Sequence, residues 1–503
     1  MNHSVVVEMS SLSLAQQYFE RLRIINGGSP AGHGQTHAGE PSVVIGRVVE
    51  MARNMDEHEY DPHHVSIGPY HYRKGSPLAR EDHKLRHVEQ LLADAAGGAT
   101  PGPDDFKRYL AALQLLDSRV RRCYTGEIPD MTAEELAGMM LLDGCYILVR
   151  FGHLGESTTT ASRAEHTPAI SVTPEEAAGA IAAPNGTMAG ENGCVSTSVA
   201  SETGSRRRSD RQMEDLALVR DVWFLEENQV PFLVLDEIQR LSTGGSTSAA
   251  TRIAPYAREL LQRKLYSTAP SPRLEPPPGN LLHLLHMHMT STTPRADVGQ
   301  DNGFAVGRWR TVTEYATAGV EFTARDLGAA CWPGSILGVE QSGGTVLVPK
   351  LNAPTAAGQT LRLLRNLIAL EQHNAHEVGS RVTAYCTFLT QVACTGGDVA
   401  RLSKAGVVSH SMGNDGELAG HLADLCKGNV FDFDDPRCNY LLSTCQALEK
   451  RYKSRPRRWM AWLKREHFSN PWVTVALAAA AITLACGVVQ AVFSVLSYKN
   501  GKN

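Results

Sequence analysis

An uncharged run near the C-terminus constrains this chain more than any other feature. Trp472 to Tyr498 reads WVTVALAAAAITLACGVVQAVFSVLSY, with no Asp, Glu, Lys or Arg in it. At about 1.5 Å per residue, a helix of this length crosses a hydrocarbon core of about 30 Å. Trp472 and Tyr498 stand at its ends, where amphipathic aromatics favour the headgroup level. The competing structure, a buried core helix, is ordinarily shorter than the 24 uncharged residues from Val473 to Leu496. The expected organisation is one large globular body, a transmembrane helix at 471–498 and a short tail at 499–503.

Flanking charge predicts the orientation. Lys450, Arg451, Lys453, Arg455, Arg457, Arg458, Lys464 and Arg465 precede the span, opposed by Glu449 and Glu466, and only Lys499 and Lys502 follow it. The positive-inside bias then puts the body in the cytoplasm. The N-terminus, MNHSVVVEMSSLSLAQQYF, lacks the basic region and long apolar run of a secretory signal. Post-translational, tail-anchored insertion is the expected route. The basic flank is also expected to be drawn to anionic membrane lipid.

The body has enough apolar material for a core, with 42% hydrophobic and 20% charged residues in the 503-residue chain. A net charge of −4 offers nothing to nucleic acid. The ten cysteines form no CxxC pair and several sit in apolar runs, as expected of reduced thiols in a cytosolic protein. Asn185-Gly-Thr187 is a formal glycosylation sequon, which a cytoplasmic body would leave unmodified.

Periodicity predicts a mainly α fold with a minor β element. Residues 1–40 are rich in Gly, Ser and His and are expected to be disordered, ahead of a helical domain at 41–470. Helical patterns run from Leu78 to Leu92, with Leu85, Val88 and Leu92 on one face, and from Asp104 to Cys123, with Phe106, Tyr109, Leu113, Leu116 and Val120. Thr132 and Glu135 form a capping box ahead of MMLLDGCYILVRF, a helix apolar nearly all round and therefore central. Pro231 should divide Met213–Leu241 into two helices, and another runs from Thr360 to His373. Strand-like pieces occur at Gly319–Thr323 and Thr345–Leu351, and inserts are expected near 152–212, 242–251 and 291–303. The Arg206–Arg208 run in the first of these reads as a solvated charge cluster.

Eight runs in collinear order carry a family resemblance. They are Val65-Ser-Ile-Gly-Pro-Tyr-His71 with Glu81-Asp-His-Lys84, Leu142-Asp-Gly-Cys-Tyr146, Glu227-Asn-Gln-Val-Pro-Phe232, Thr313-Glu-Tyr315, Ala318-Gly-Val320, Val346-Leu-Val-Pro349, Arg365-Asn-Leu-Ile-Ala-Leu-Glu-Gln372 and Phe468-Ser-Asn-Pro-Trp472. From about residue 41 to 498 the chain resembles the plant family catalogued as domain of unknown function 247. Two positions depart from that pattern: Leu85 stands where the family has tryptophan, and Val48-Val49 where it has Val-Pro. The resemblance implies a plant membrane protein without an established biochemical activity. Some grass members resemble pollen-side determinants of self-incompatibility, which implies recognition or signalling at a membrane, with the plasma membrane favoured and the endoplasmic reticulum as the alternative.

The sequence contains no GxSxG, P-loop, GxGxxG or HExxH context. The spacings of His58, His63, His64, His71, His83 and His87 fit no compact metal site, and His283, His286 and His288 read as the polar edge of a helix. No catalytic, metal or cofactor residue is assigned, and no cofactor is expected. Asp143 lies inside the most apolar helix and needs a cationic partner, for which His83 and Lys84 are the candidates under the family pattern. Glu227, Asn228 and Gln229 precede Pro231, whose helix break leaves carbonyls that amide side chains can satisfy. A structural role is expected for this group; a tethered hydrolase built on Asp143, Glu227 and His83 is the alternative. In the span, Ala479, Thr483, Gly487 and Ala491 recur at four-residue spacing on one face with Gln490, a pattern that predicts self-association. The expected partners are membrane lipid, a protein of unknown identity and a second copy of the chain.

Overall fold

A long apolar run of the body, Ala133–Phe151, forms the helix around which its neighbours assemble. A computed structural model describes residues 43–54, 57–152, 214–245, 247–293, 304–327, 334–353, 359–466 and 471–500. The expected disordered N-terminus at 1–40, nearly all of the 152–212 insert and residues 294–303 and 501–503 lie outside the described residues.

In chain order the main elements are α1 (Glu81–Ala95), α2 (Pro103–Gln114), α3 (Ala133–Phe151), α4 (214–224), α5 (Phe232–Thr243), α6 (Ala249–Arg263), α7 (Leu281–Thr290), β1 (Glu321–Arg325), β2 (Glu340–Ser342), β3 (Thr345–Pro349), β4 (Leu351–Ala353), α8 (Gln359–His373), α9 (Arg381–Val392), α10 (Gly396–Lys404), β5 (Val408–His410), α11 (Asp415–Leu425), α12 (Leu442–Lys453), α13 (Arg455–Glu466) and α14 (Pro471–Asn500). The fold is mainly α with a minor β element, as the periodicity predicts.

The Thr132 hydroxyl accepts from Glu135 N at 3.2 Å, and the Glu135 carboxylate accepts from Thr132 N at 2.9 Å, so α3 starts on its capping box. Helices α1, α2 and α5 surround it. The α3–α5 crossing is tight: a Cβ at Gly144 would stand 2.4 Å from Ile238 Cδ1. On the other side, α8 packs on α9, α9 on α11 and α11 on α10, while α7 touches both α6 and α8. One continuous apolar core joins the two groups.

The strands form two small sheets. In the first, β3 lies between β1, its parallel neighbour, and β2, with which it makes a hairpin closed by Gly343 and Gly344. In the second, β4 pairs in parallel with β5.

Several local expectations are corrected. Leu85 is exposed, and α1 instead turns Lys84, Val88, Leu91 and Leu92 inward, because a buried carboxylate on α3 claims the lysine. The pattern from Asp104 to Cys123 is two helices, α2 and a short one at Asp117–Arg122. The segment at 242–251 is a short connection, with α5 ending at Thr243 and Ser248 capping α6. His283, His286 and His288 form no polar edge: all three are buried, His286 meeting Glu371 at 2.8 Å. Desolvation pushes His283 down to about 3 and His288 to about 4, so both imidazoles stay neutral.

Helix α14 behaves in the opposite way to α3. None of the side chains from Ala479 to Ser497 is buried in the protein, which removes the buried-core alternative for this apolar run. By length and composition the helix can cross a membrane.

Candidate functional site

Residues 43–54 and 57–72 follow a largely irregular path along the helical body, and their backbone groups need partners. Those partners come from the break between α4 and α5. Helix α4 ends at Phe224, and Pro231, which has no N–H to donate, caps α5. Asn228 Nδ2 donates to Asp221 O at 2.9 Å and to Val65 O at 3.0 Å. Gln229 Nε2 donates to Val222 O and Leu225 O, both at 2.9 Å. The amides thus take carbonyls that the end of α4 leaves open.

The acceptor atoms of the same side chains hold other segments. Asn228 Oδ1 accepts from Ile67 N at 2.7 Å, and Gln229 Oε1 from Leu282 N at 3.2 Å in the first turn of α7. Glu227 Oε1 accepts from Val48 N at 2.7 Å while Oε2 pairs with Arg53 at 2.7 Å, with His71 3.6 Å away. Glu226 Oε1 accepts from Gly46 N at 3.1 Å. Four consecutive side chains therefore clamp backbone at positions 46, 48, 67 and 282.

Asp143 and Lys84 form a second part of the clamp. Their charged groups are 2.5 Å apart, Lys84 Nζ donates to Ser66 O at 2.7 Å, and Asp143 Oδ2 accepts from Gly68 N at 2.8 Å. Burial pushes the Asp143 carboxyl up, and Lys84 and the Gly68 amide oppose that shift. Gly68 has φ +71, and a Cβ there would lie 2.3 Å from Gln229 O, so only glycine fits. His83 lies elsewhere, its ring against His87 and Tyr146 at 4.9 and 5.9 Å. Burial, then the neighbouring His87 and arginines, holds His83 below its ordinary value.

This arrangement is closed. Asp143 is 1% exposed and Lys84 and Glu227 are each 2% exposed, so no substrate reaches them as folded. Asp143, Glu227 and His83 do not line either of the two best-formed cavities among the described residues. One of these is a small niche between Val48, Tyr60, Arg365 and Lys427. The other is an open cleft of about 350 Å³ lined by Lys350, Ser403, Ser409, His410 and Asp415. His410 Nε2 meets Asp415 at 2.9 Å there, but Ser403 Oγ makes no hydrogen bond to His410, so no nucleophile–base pair is assembled. No group of three or more metal-ligating side chains occurs among the described residues.

The five residues of the expected contact face of the span, Ala479, Thr483, Gly487, Gln490 and Ala491, are all exposed on α14. A Cβ at Gly487 would meet nothing within 4 Å, and Thr483 Oγ1 donates back to Ala479 O at 2.8 Å.

The profile of a plant family described as proteins of unknown function, DUF247, matches residues 45–486. The chain belongs to that family. It is similar to the Arabidopsis thaliana protein named UPF0481 protein At3g47200, with 23% identity over 490 residues, covering 92% of this chain and 89% of that one. No solved structure matches it.

The two departures from the DUF247 pattern fall at tolerant positions. Leu85 points outward, and Val49 stands exposed at the N-cap of the short helix Glu50–Arg53, where its φ of −56 suits a proline. The sequence alone assigns no role to several further clamp residues. Asp221 Oδ2 accepts from three consecutive amides, His63, His64 and Val65, at 3.0, 2.6 and 3.0 Å. Asn366 Oδ1 accepts from Glu226 N at 2.9 Å. Glu371 gathers Val382 N, Thr383 N and Thr383 Oγ1 within 2.8 Å. A polar residue interrupting a buried apolar helix face is the cue each offers, and Asn366 and Glu371 also lie in the Arg365–Gln372 run.

Proposed function

We propose that this protein is a membrane-anchored, non-enzymatic recognition or signalling component whose body faces the cytosol. The observation that carries the reading is α14, an apolar helix long enough to span a bilayer and left bare by a body that buries its other apolar helices. The basic flank from Lys450 to Arg465 supports the cytosolic orientation. The use of the family-matching polar side chains to hold backbone inside the core supports a scaffold over a hydrolase. Protein partners would then be met by the outer surface, and a second copy by the small-residue face of α14. A role in self-recognition, as the family resemblance implies for some grass members, is the finer form of this reading.

The test is made on vesicles carrying the full chain. The protein should resist alkaline carbonate extraction, and external protease should remove the body from cytosol-out vesicles, leaving a short protected fragment. Release by carbonate would overturn the anchor. A body that survives digestion, or glycan at Asn185, would reverse the orientation. A fluorescent fusion should mark the plasma membrane; the endoplasmic reticulum is the other compartment the assay distinguishes.

A further inference from the structure

Helix α13 turns its apolar side away from the protein. Ala461 faces the body at the Gly319 turn, where a Cβ on the glycine would stand 3.2 Å from Ala461 Cβ. Arg458, on the same side, lies over the Tyr452 ring at 5.2 Å. At about 100° per residue, Trp459 falls on the far side of the helix, flanked by Met460 and Trp462, with Leu463 half-buried beside it. Trp459 is 62% exposed, Met460 63% and Trp462 43%. A soluble protein has every reason to turn two tryptophans and a methionine inward; this helix turns an alanine inward instead.

Charge and position identify what covers that face. Arg455, Arg457 and Arg458 are exposed on the same helix, the sequence continues with Lys464 and Arg465, and no acidic residue occurs before Glu466. Four residues of sequence separate the end of α13 from the start of α14. Resting on the reading of α14 as a membrane anchor, we propose that α13 lies in the plane of an anionic bilayer surface. Trp459, Met460 and Trp462 enter the headgroup boundary, and Arg455, about 40° round the helix from Trp459, meets lipid phosphate and serine headgroups. Amphipathic rings favour that depth, and basic side chains on a helix flanking a span add attraction to acidic lipid. Arg451, at the end of α12, donates to Gly319 O at 3.2 Å and so ties this helix pair to the β1 side of the small sheet. The sheet is therefore the membrane-proximal face of the body.

The experiment uses the full chain reconstituted into vesicles of phosphatidylcholine, with or without about a third phosphatidylserine, doped with lipid brominated near the headgroup. Trp223 and Trp309 are buried in the body and beyond the quencher. In wild type, shallow bromines should quench a tryptophan component, more strongly with phosphatidylserine present. In the Trp459→Phe/Trp462→Phe double variant the quenched amplitude should fall by roughly half or more, since Trp472 contributes to it in both proteins. Arg455→Glu should weaken the phosphatidylserine dependence, and an unchanged dependence would overturn the lipid contact of the helix. Protein that stays with the vesicles in carbonate while the double variant is quenched like wild type would overturn this inference and leave the anchor standing. Protein released by carbonate yet quenched through Trp459 and Trp462 would overturn the anchor and leave the interfacial helix.

Discussion

Removing the carboxylate of Asp143 is expected to destabilise the body severely, and the structure says by how much. The Asp143→Ala change leaves the Lys84 ammonium buried without its counter-ion, a loss of about 3–5 kcal/mol for a broken buried pair. It also orphans the Gly68 amide, which adds about 1–3 kcal/mol. Lys84→Met leaves the opposite charge stranded and strips Ser66 O of its donor, for a loss of similar size. The double variant has no buried charge left, only the two unpaired backbone groups. Its loss should therefore fall short of the sum of the single losses by about 3 kcal/mol. The assay is urea unfolding of the full chain in detergent, followed by the emission of Trp223 and Trp309, both buried in the body. Single-variant losses that add to within about 0.5 kcal/mol would refute a coupled buried pair. Single variants that keep the wild-type midpoint but lose a cellular activity would point to a functional site at Asp143 instead.

Two further outcomes can be measured on the same material. Burial holds the Glu226 carboxyl well above its ordinary range, so the folded chain keeps a proton that the unfolded chain releases above pH about 4.5. This contribution is complete below that pH and is lost as pH rises towards the folded value, with a slope of up to about 1.4 kcal/mol per pH unit. Glu226→Gln keeps an acceptor for Gly46 N and should flatten the profile, becoming the more stable protein at about pH 8; equal pH profiles would refute a buried neutral acid. In the span, Gly487→Ile and Gln490→Leu should each lower association in a membrane reporter, the second by about 0.6 kcal/mol for an average interhelical hydrogen bond; undiminished signal from both leaves α14 a plain anchor.

Much of the fold is legible in the sequence because the signals are local. The capping box at Thr132, the helix break at Pro231, the hairpin strand at Thr345–Pro349 and the apolar run of α14 each depend on residues within a turn or two of one another. Local signals cannot say which face of an element meets which partner. Leu85 and Lys84 are neighbours, and periodicity favours burying the leucine; the carboxylate that reverses this choice is 59 residues away, on α3. The imidazoles of α7 read as a polar edge, yet the helix is enclosed by α6 and α8, and desolvation keeps the rings neutral.

The candidate site divides along the same line. Local sequence alone indicated that Asp143 needs a cation and that the amides before Pro231 have open carbonyls within reach. Only the tertiary structure chose Lys84 over His83, because adjacent residues on a helix point about 100° apart and just one can face α3. Only the tertiary structure brought residues 46, 48 and 67 to a loop some 160 to 180 positions later in the chain. The sequence by itself determined that an apolar helix would be made and that it was long enough for a bilayer. The packed body decided that none of the described residues buries it, since the core is filled by other helices and the side chains from Ala479 to Ser497 stay exposed.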